Sequence, residues 1–285
     1  MALSEGATAQ ALIPSDTTVV TALYPMKSKM TLHKYIDLML RWWPELPQCR
    51  LVCFVPPALK ALVTAVLARR PAGHTLVIPL PFEDLAATGG KLDRGIWRYT
   101  AELDPERCVH SPELYAIWYE KKEFVLRAAA LNPFQSEYFV WCDAGIGRRP
   151  AWLPLIQGFP VGLRIPRGKM LCLEVEPMQP EDFEGWDGRA AALGPDFSAR
   201  QATIGGGILA SDRGGWERWS RAYDAMLLRY HMAGRFIGKD QNIMAGLVAS
   251  DPSLAVVVSA PASMGGFDRW FYLLFFLAGV SLSLV

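Results

Sequence analysis

The chain has 285 residues, 51% of them hydrophobic and 20% charged, a composition that buries a large core and excludes disorder over most of its length. Its 29 basic and 28 acidic residues are spread along the chain and leave a net charge of +1, so neither a basic footprint for nucleic acid nor an acidic tail is visible. The five cysteines, Cys49, Cys53, Cys108, Cys142 and Cys172, are an odd number without CxxC spacing, which argues for a reducing, cytoplasmic setting and against a zinc site.

Residues 1–16 are mostly small and polar, with no basic start and no apolar h-region, and read as a flexible lead rather than a signal peptide. Residues 17–23 (TTVVTAL) form a branched apolar run that predicts a strand. Over residues 32–43, Tyr35, Ile36, Met39, Leu40 and Trp43 fall at helical spacing until Pro44 stops the pattern. A strand at 51–55, a helix at 58–69 opened by Pro56 and Pro57, and a strand at 75–80 closed by prolines continue the alternation. Between 82 and 109 the periodicity weakens, with Gly89, Gly90 and Pro105 as breakers and Trp97 and Tyr99 as expected anchors of an irregular lid or connection. Ser111, Pro112 and Glu113 then open a helix: serine is expected to cap, proline suits the first position, and an early acid favours the dipole. Leu114, Trp118, Val125 and Ala128 form its expected buried stripe.

The run from Tyr138 to Cys142 is short, aromatic and branched, and stops on Asp143 before passing into Gly145, Gly147 and Arg148. It predicts a buried strand, and an acid at the C-terminal end of such a strand sits where α/β proteins bind ligands. Asp143 is therefore a functional candidate, with a turn cap or an ion pair to Arg148 as the structural alternative. Together with the runs at 17–23, 51–55 and 75–80, it predicts four neighbouring strands in one mainly parallel sheet with helices on both faces. Beyond it come a proline-rich connection, a strand at 170–175 and a glycine-rich acidic loop at 181–195.

Gly205, Gly206 and Gly207 interrupt an apolar run, so they need a bulge or a close approach by a ligand or another chain segment. They fit neither a P-loop nor a GxGxxG fingerprint. A helix is predicted at 216–230, with Trp219, Tyr223 and Met226 on one face. Next, Lys239, Asp240 and Gln241 open a helix running to Ala249; the trio reads either as a capped terminus or as a set of donors and acceptors for a polar ligand. Residues 270–285 are apolar and uncharged but shorter than the roughly 20 needed to span a bilayer, which predicts a terminal helix packed on the core or lying at a membrane surface.

Several of these segments resemble the HtrL/YibB-like (WlaTC) family of glycosyltransferase-like proteins. The resemblance runs in order through Val19-Val20-Thr21-Ala22-Leu23-Tyr24, His110-Ser111-Pro112-Glu113-Leu114, Trp118-Tyr119-Glu120-Lys121-Lys122-Glu123-Phe124, Asn132-Pro133-Phe134, Phe139-Val140-Trp141-Cys142-Asp143-Ala144-Gly145-Ile146, Gly205-Gly206-Gly207 and Gly238-Lys239-Asp240-Gln241. It implies a single α/β domain over residues 17–285 with a GT-A-like fold, its nucleotide-binding half at about 17–149 and its acceptor and catalytic half at about 150–285.

The resemblance further implies transfer of a sugar from a nucleotide-sugar donor to a glycan or other hydroxyl acceptor. Asp143 takes the place of the DxD-type motif that holds Mn²⁺ or Mg²⁺ against the diphosphate, although Asp143-Ala144-Gly145 supplies one carboxylate where DxD supplies two. Thr21 and Ala22 are expected to meet the nucleotide, and Lys27 or Lys29 its phosphates. Gly145 and Gly205 to Gly207 let the backbone approach the donor, while Arg148, Lys122 or Lys239 share the charge stabilisation. Asp240 is the expected base, kept ionised by Lys239 and positioned by Gln241. The alternative is a catalytically idle nucleotide- or sugar-binding module, with membrane-surface association through residues 270–285 a further reading.

Overall fold

The computed structural model describes residues 16–46, 48–89, 91–92, 95–186, 193–199 and 202–280. All but Asp16 of the expected lead at 1–16, and the last five residues, lie outside them. In chain order the elements are β1 (Thr17–Ala22), α1 (Leu32–Trp42), β2 (Arg50–Val55), α2 (Lys60–Leu67), β3 (Thr75–Pro79), α3 (Ala86–Gly89), α4 (Gly95–Glu102), α5 (Pro112–Leu131), β4 (Tyr138–Cys142), β5 (Met170–Glu174), β6 (Ile204–Asp212), α6 (Arg213–Met232), α7 (Asp240–Ser250), β7 (Ala255–Ser259) and α8 (Tyr272–Leu277), with short 3₁₀ turns between several of them.

Among the described residues the seven strands join one sheet in the order β3-β2-β1-β4-β6-β5-β7. The four strands expected from the apolar runs lie side by side and parallel, with Thr21 opposite Cys53 and Val20 opposite Trp141. Only β6 runs against its neighbours, pairing antiparallel with both β4 and β5. Side-chain alternation along the strands feeds two cores. Val20, Phe54, Phe139 and Trp141 pack beneath α5, α6 and α7 on one face. Val19, Leu51, Cys53, Val140 and Cys142 pack on the other face with Met39 and Trp42 of α1, Val63 and Val66 of α2, and Leu274 and Phe275 of α8. Each large side chain fully buried in this way contributes roughly 1.5–3 kcal/mol of transfer free energy.

Several local expectations need correction. Residues 82–109 are not wholly irregular, because α3 and α4 form there and Trp97 anchors them by donating its indole N–H to the Ala87 carbonyl at 2.8 Å. Tyr99 is no anchor; it is 45% exposed and stands edge-on to His231. Ser111 occupies the N-cap position of α5 with extended backbone, but its hydroxyl makes no capping bond, so Pro112 and Glu113 carry that helix start. The apolar runs do not predict that β6 is antiparallel or that β7 closes the sheet beside β5. The apolar C-terminal run, as far as residue 280, packs on the core, with Leu273, Leu274, Phe275 and Leu277 almost fully buried. Among the described residues no helix is long and apolar enough to cross a membrane.

Candidate active site at the sheet edge

In the order β3-β2-β1-β4 the chain winds outward from β1 in both directions, so the crevice between the C-terminal ends of β1 and β4 is the switch point where open α/β sheets bind ligands. Here Ala22, Leu23 and Tyr24 leave β1 while Asp143, Ala144 and Gly145 leave β4, and all six line a cleft closed on its other sides by Tyr35, Trp118, Lys121 and Arg148. A second lobe shares Trp118, Lys121, Asp143, Gly145 and Arg148, and continues to Gly206, Gly207, Asp240, Gln241 and Trp270. Both lobes open to solvent, so the two together form one continuous cleft rather than an enclosed cavity.

Lys121 organises this site. It projects from the middle of α5, and its Nζ lies 2.8 Å from Asp240 Oδ2 and 3.3 Å from Asp143 Oδ1 while donating to the Gly206 carbonyl at 2.8 Å. Three oxygens from three distant segments therefore surround one ammonium, the Gly206 carbonyl as its hydrogen-bond acceptor and the two carboxylates as ion-pair partners. Each segment is brought there for its own reason. Asp143 follows β4 directly, and its backbone N–H donates to the Gly207 carbonyl at 2.9 Å. β6 runs antiparallel, so its N-terminal glycines enter at the same edge where β4 ends. The register between β5 and β6 slips between Leu171 and Leu173, a bulge in the glycine run. Gly206 must lack a side chain, since a Cβ there would stand 2.6 Å from Asp240 Oδ2.

The two carboxylates differ. Asp240 is the first residue of α7, where the helix dipole favours an anion, and its Oδ1 accepts the Gln241 backbone N–H at 2.9 Å. With Oδ2 on Lys121 and its side chain 7% exposed, both of its oxygens are engaged. The capped-terminus reading of Asp240 is thus half right, because one oxygen serves the helix and the other the lysine. Asp143 receives the Trp141 indole N–H on the same Oδ1 that faces Lys121, and its side chain remains 41% exposed. Its Oδ2 has no partner among the described residues and opens to the cleft. It neither pairs with Arg148 nor merely caps a turn.

Protein packed around the cleft floor strips solvent from Asp143 and raises its carboxyl pKa; Asp240 pushes the same way, and Lys121 and the Trp141 hydrogen bond oppose them. Burial works against the charge of Lys121, but Asp143 and Asp240 together outweigh it and raise the pKa of the ammonium. The lysine stays cationic, with Trp141 beneath it at 5.9 Å from the ring centre.

Other expected site residues divide into those the cleft gathers and those it does not. Ala22, Gly145, Arg148, Gly206, Gly207 and Gln241 line it together with Asp143 and Asp240. Thr21 does not, because alternation along β1 turns its side chain into the interior, where it is fully buried. Gly205 packs against Val175 and Leu173 instead. Lys27 is exposed and outside the lining. Lys29 and Lys239 are both held by Glu106, at 2.5 Å to each, and these two contacts depress the Glu106 carboxyl pKa to about 2. Lys122 is the clearest correction: it turns away from the cleft, pairs with Glu123 at 2.7 Å and Asp224 at 2.8 Å, and lies 3.8 Å above the Tyr119 ring.

The residue missed was its neighbour, Lys121. One helical step rotates a side chain by about 100°, so adjacent lysines face different surroundings, and only the position of α5 against the sheet decides which meets the cleft. No protein-family model matches the chain, and no curated protein matches it.

Proposed function

We propose that this protein is a glycosyltransferase of GT-A-like architecture that moves a sugar from a nucleotide-sugar donor to an acceptor hydroxyl. The observation that carries this reading is the convergence of Asp143, Gly206 and Asp240 on Lys121 in a switch-point cleft, since three segments singled out in sequence meet at one point. The aromatic lobe beside Ala22, Tyr35 and Trp118 suits a nucleoside, and the lobe at Gly206, Gln241 and Trp270 suits a donor sugar and its acceptor.

In this mechanism the free Oδ2 of Asp143 takes the acceptor proton, and burial, by raising its pKa above the ordinary carboxylate value, makes it a stronger base than a solvated aspartate. The acceptor oxygen forms the new bond to the anomeric carbon as the bond to the diphosphate oxygen breaks, and the leaving nucleoside diphosphate keeps that electron pair. Arg148, shared by both lobes, is the exposed cation placed to neutralise it. Asp240 acts as a positioning residue that holds Lys121, rather than as the base expected from its sequence context. Mn²⁺ or Mg²⁺ would supply the same neutralisation, but the donor set does not fit one. The point between the two carboxylates is filled by the lysine, and no group of three His, Cys, Asp or Glu side chains converges among the described residues.

A screen of nucleotide sugars for release of nucleoside diphosphate tests the proposal. Turnover is expected with at least one donor and should disappear in Asp143→Asn with the fold intact; absence of both turnover and nucleotide binding would refute it. A second reading, an idle nucleotide-binding module, is favoured by the full engagement of Asp240, and predicts binding of UDP without turnover on any donor.

A further inference from the structure

The geometry points to Lys121 as the resident cation of this site, seated where a divalent ion would otherwise bridge Asp143 and Asp240, so that the cleft takes its anionic ligand without a divalent metal. The seat itself is cation-shaped. It offers two carboxylate oxygens and one backbone carbonyl, the oxygen donors that hard divalent ions take. The ammonium lies 2.8, 2.8 and 3.3 Å from the three, and Lys121 is only 6% exposed.

The seat is also built around the lysine rather than filled by chance. α5 carries Lys121 over Trp141, and Trp141 in turn stacks on Phe124 one turn further along the same helix at 6.0 Å between ring centres, which fixes the helix above β4. Trp141 also donates to Asp143 Oδ1, fixing the oxygen that faces the ammonium. Gly206 leaves room for the Asp240 carboxylate, and Gln241 N–H holds its other oxygen. Displacing the ammonium would leave a lysine 6% exposed with no comparable acceptor set, whereas a metal beside it would face a like charge. Asp143 Oδ2, the one carboxylate oxygen left open, then remains available to the ligand rather than to an ion.

This inference rests on the cleft being the ligand site, but its test does not require turnover. Manganese binding is followed on the full chain by the electron paramagnetic resonance signal of free Mn²⁺. The wild type is expected to leave that signal unchanged at millimolar metal. Lys121→Ala vacates the seat and should take up one Mn²⁺, with a rise in melting temperature on adding the metal. Restoring the block with Lys121→Arg, or removing a ligand in Lys121→Ala/Asp143→Asn, should weaken that uptake on the order of tenfold or more. Uptake of Mn²⁺ by the wild type that is lost in Asp143→Asn would overturn the inference, and this arm decides the matter even if Lys121→Ala does not fold. Binding of UDP to the wild type is titrated in parallel with EDTA and with Mn²⁺. Equal affinity in both supports the inference, affinity that appears only with Mn²⁺ overturns it, and no affinity in either counts against the nucleotide reading alone.

Discussion

Replacing Lys121 with methionine keeps an unbranched stem one atom shorter and removes the ammonium, which tests its electrostatic role with little change in packing. Two carboxylates then lose the cation they share, and the Gly206 carbonyl loses its donor. Removing one partner of a buried ion pair costs about 3–5 kcal/mol, and an unsatisfied buried acceptor about 1–3 kcal/mol. Asp143 is 41% exposed and recovers much of its share from water, while Asp240 at 7% does not, so the net loss is placed at about 3–4 kcal/mol near pH 7. The deficit also has a defined pH dependence. Burial and the charge of Asp240 already raise Asp143, and without Lys121 nothing comparable opposes them. A carboxyl whose folded pKa exceeds its unfolded value contributes stability that is present below the unfolded pKa and is lost as pH rises through the folded one. The variant should therefore recover part of its deficit relative to wild type on acidification from about pH 7 to about pH 5. Urea unfolding of both proteins at the two pH values measures this. A deficit below about 1 kcal/mol at neutral pH, or one that does not shrink on acidification, would refute the reasoning.

Gly206→Ala places a methyl carbon 2.6 Å from Asp240 Oδ2 and should displace that carboxylate from Lys121 at a cost of about 1–3 kcal/mol. Gly207→Ala, whose nearest neighbours are Ile146 at 3.4 Å and Asp143 Oδ2 at 3.8 Å, should change stability little; equal effects in chemical denaturation would show that the glycines serve only the strand. Glu120 is fully buried on α5, and burial pushes its pKa up to about 7 despite the Ala86 and Ala87 N–H groups that it accepts. Its contribution is present below the unfolded pKa and lost as pH rises through about 7, so Glu120→Gln should flatten the stability profile there by up to roughly 3 kcal/mol, read by thermal melts from mildly acidic to mildly alkaline buffer.

Much of this architecture is written locally. The runs at 17–23, 51–55 and 138–142 announce buried strands because a strand covered on both faces needs branched and apolar side chains along most of its length, and the run at 75–80 announces the half-buried edge strand β3. Their alternation with helices determines a parallel sheet, and a parallel sheet places Asp143 at its C-terminal edge. The glycine run likewise announced a bulge or a close approach, and Gly206 is both.

What sequence could not decide was which charges meet. Lys121 and Lys122 are chemically identical and adjacent; one completes the cleft and the other joins Glu123 and Asp224 beneath α6, a difference set by the rotation of α5 against the sheet. Glu106 lies in a segment with weak periodicity, yet its two lysine partners come from residues 77 and 133 positions away. The reversal of β6 is equally silent in sequence, because an antiparallel strand buried on both faces carries the same apolar run as a parallel one. Local sequence determines where apolar faces and backbone hydrogen bonds must go; ion pairs act through space between segments that only the packed fold brings within reach.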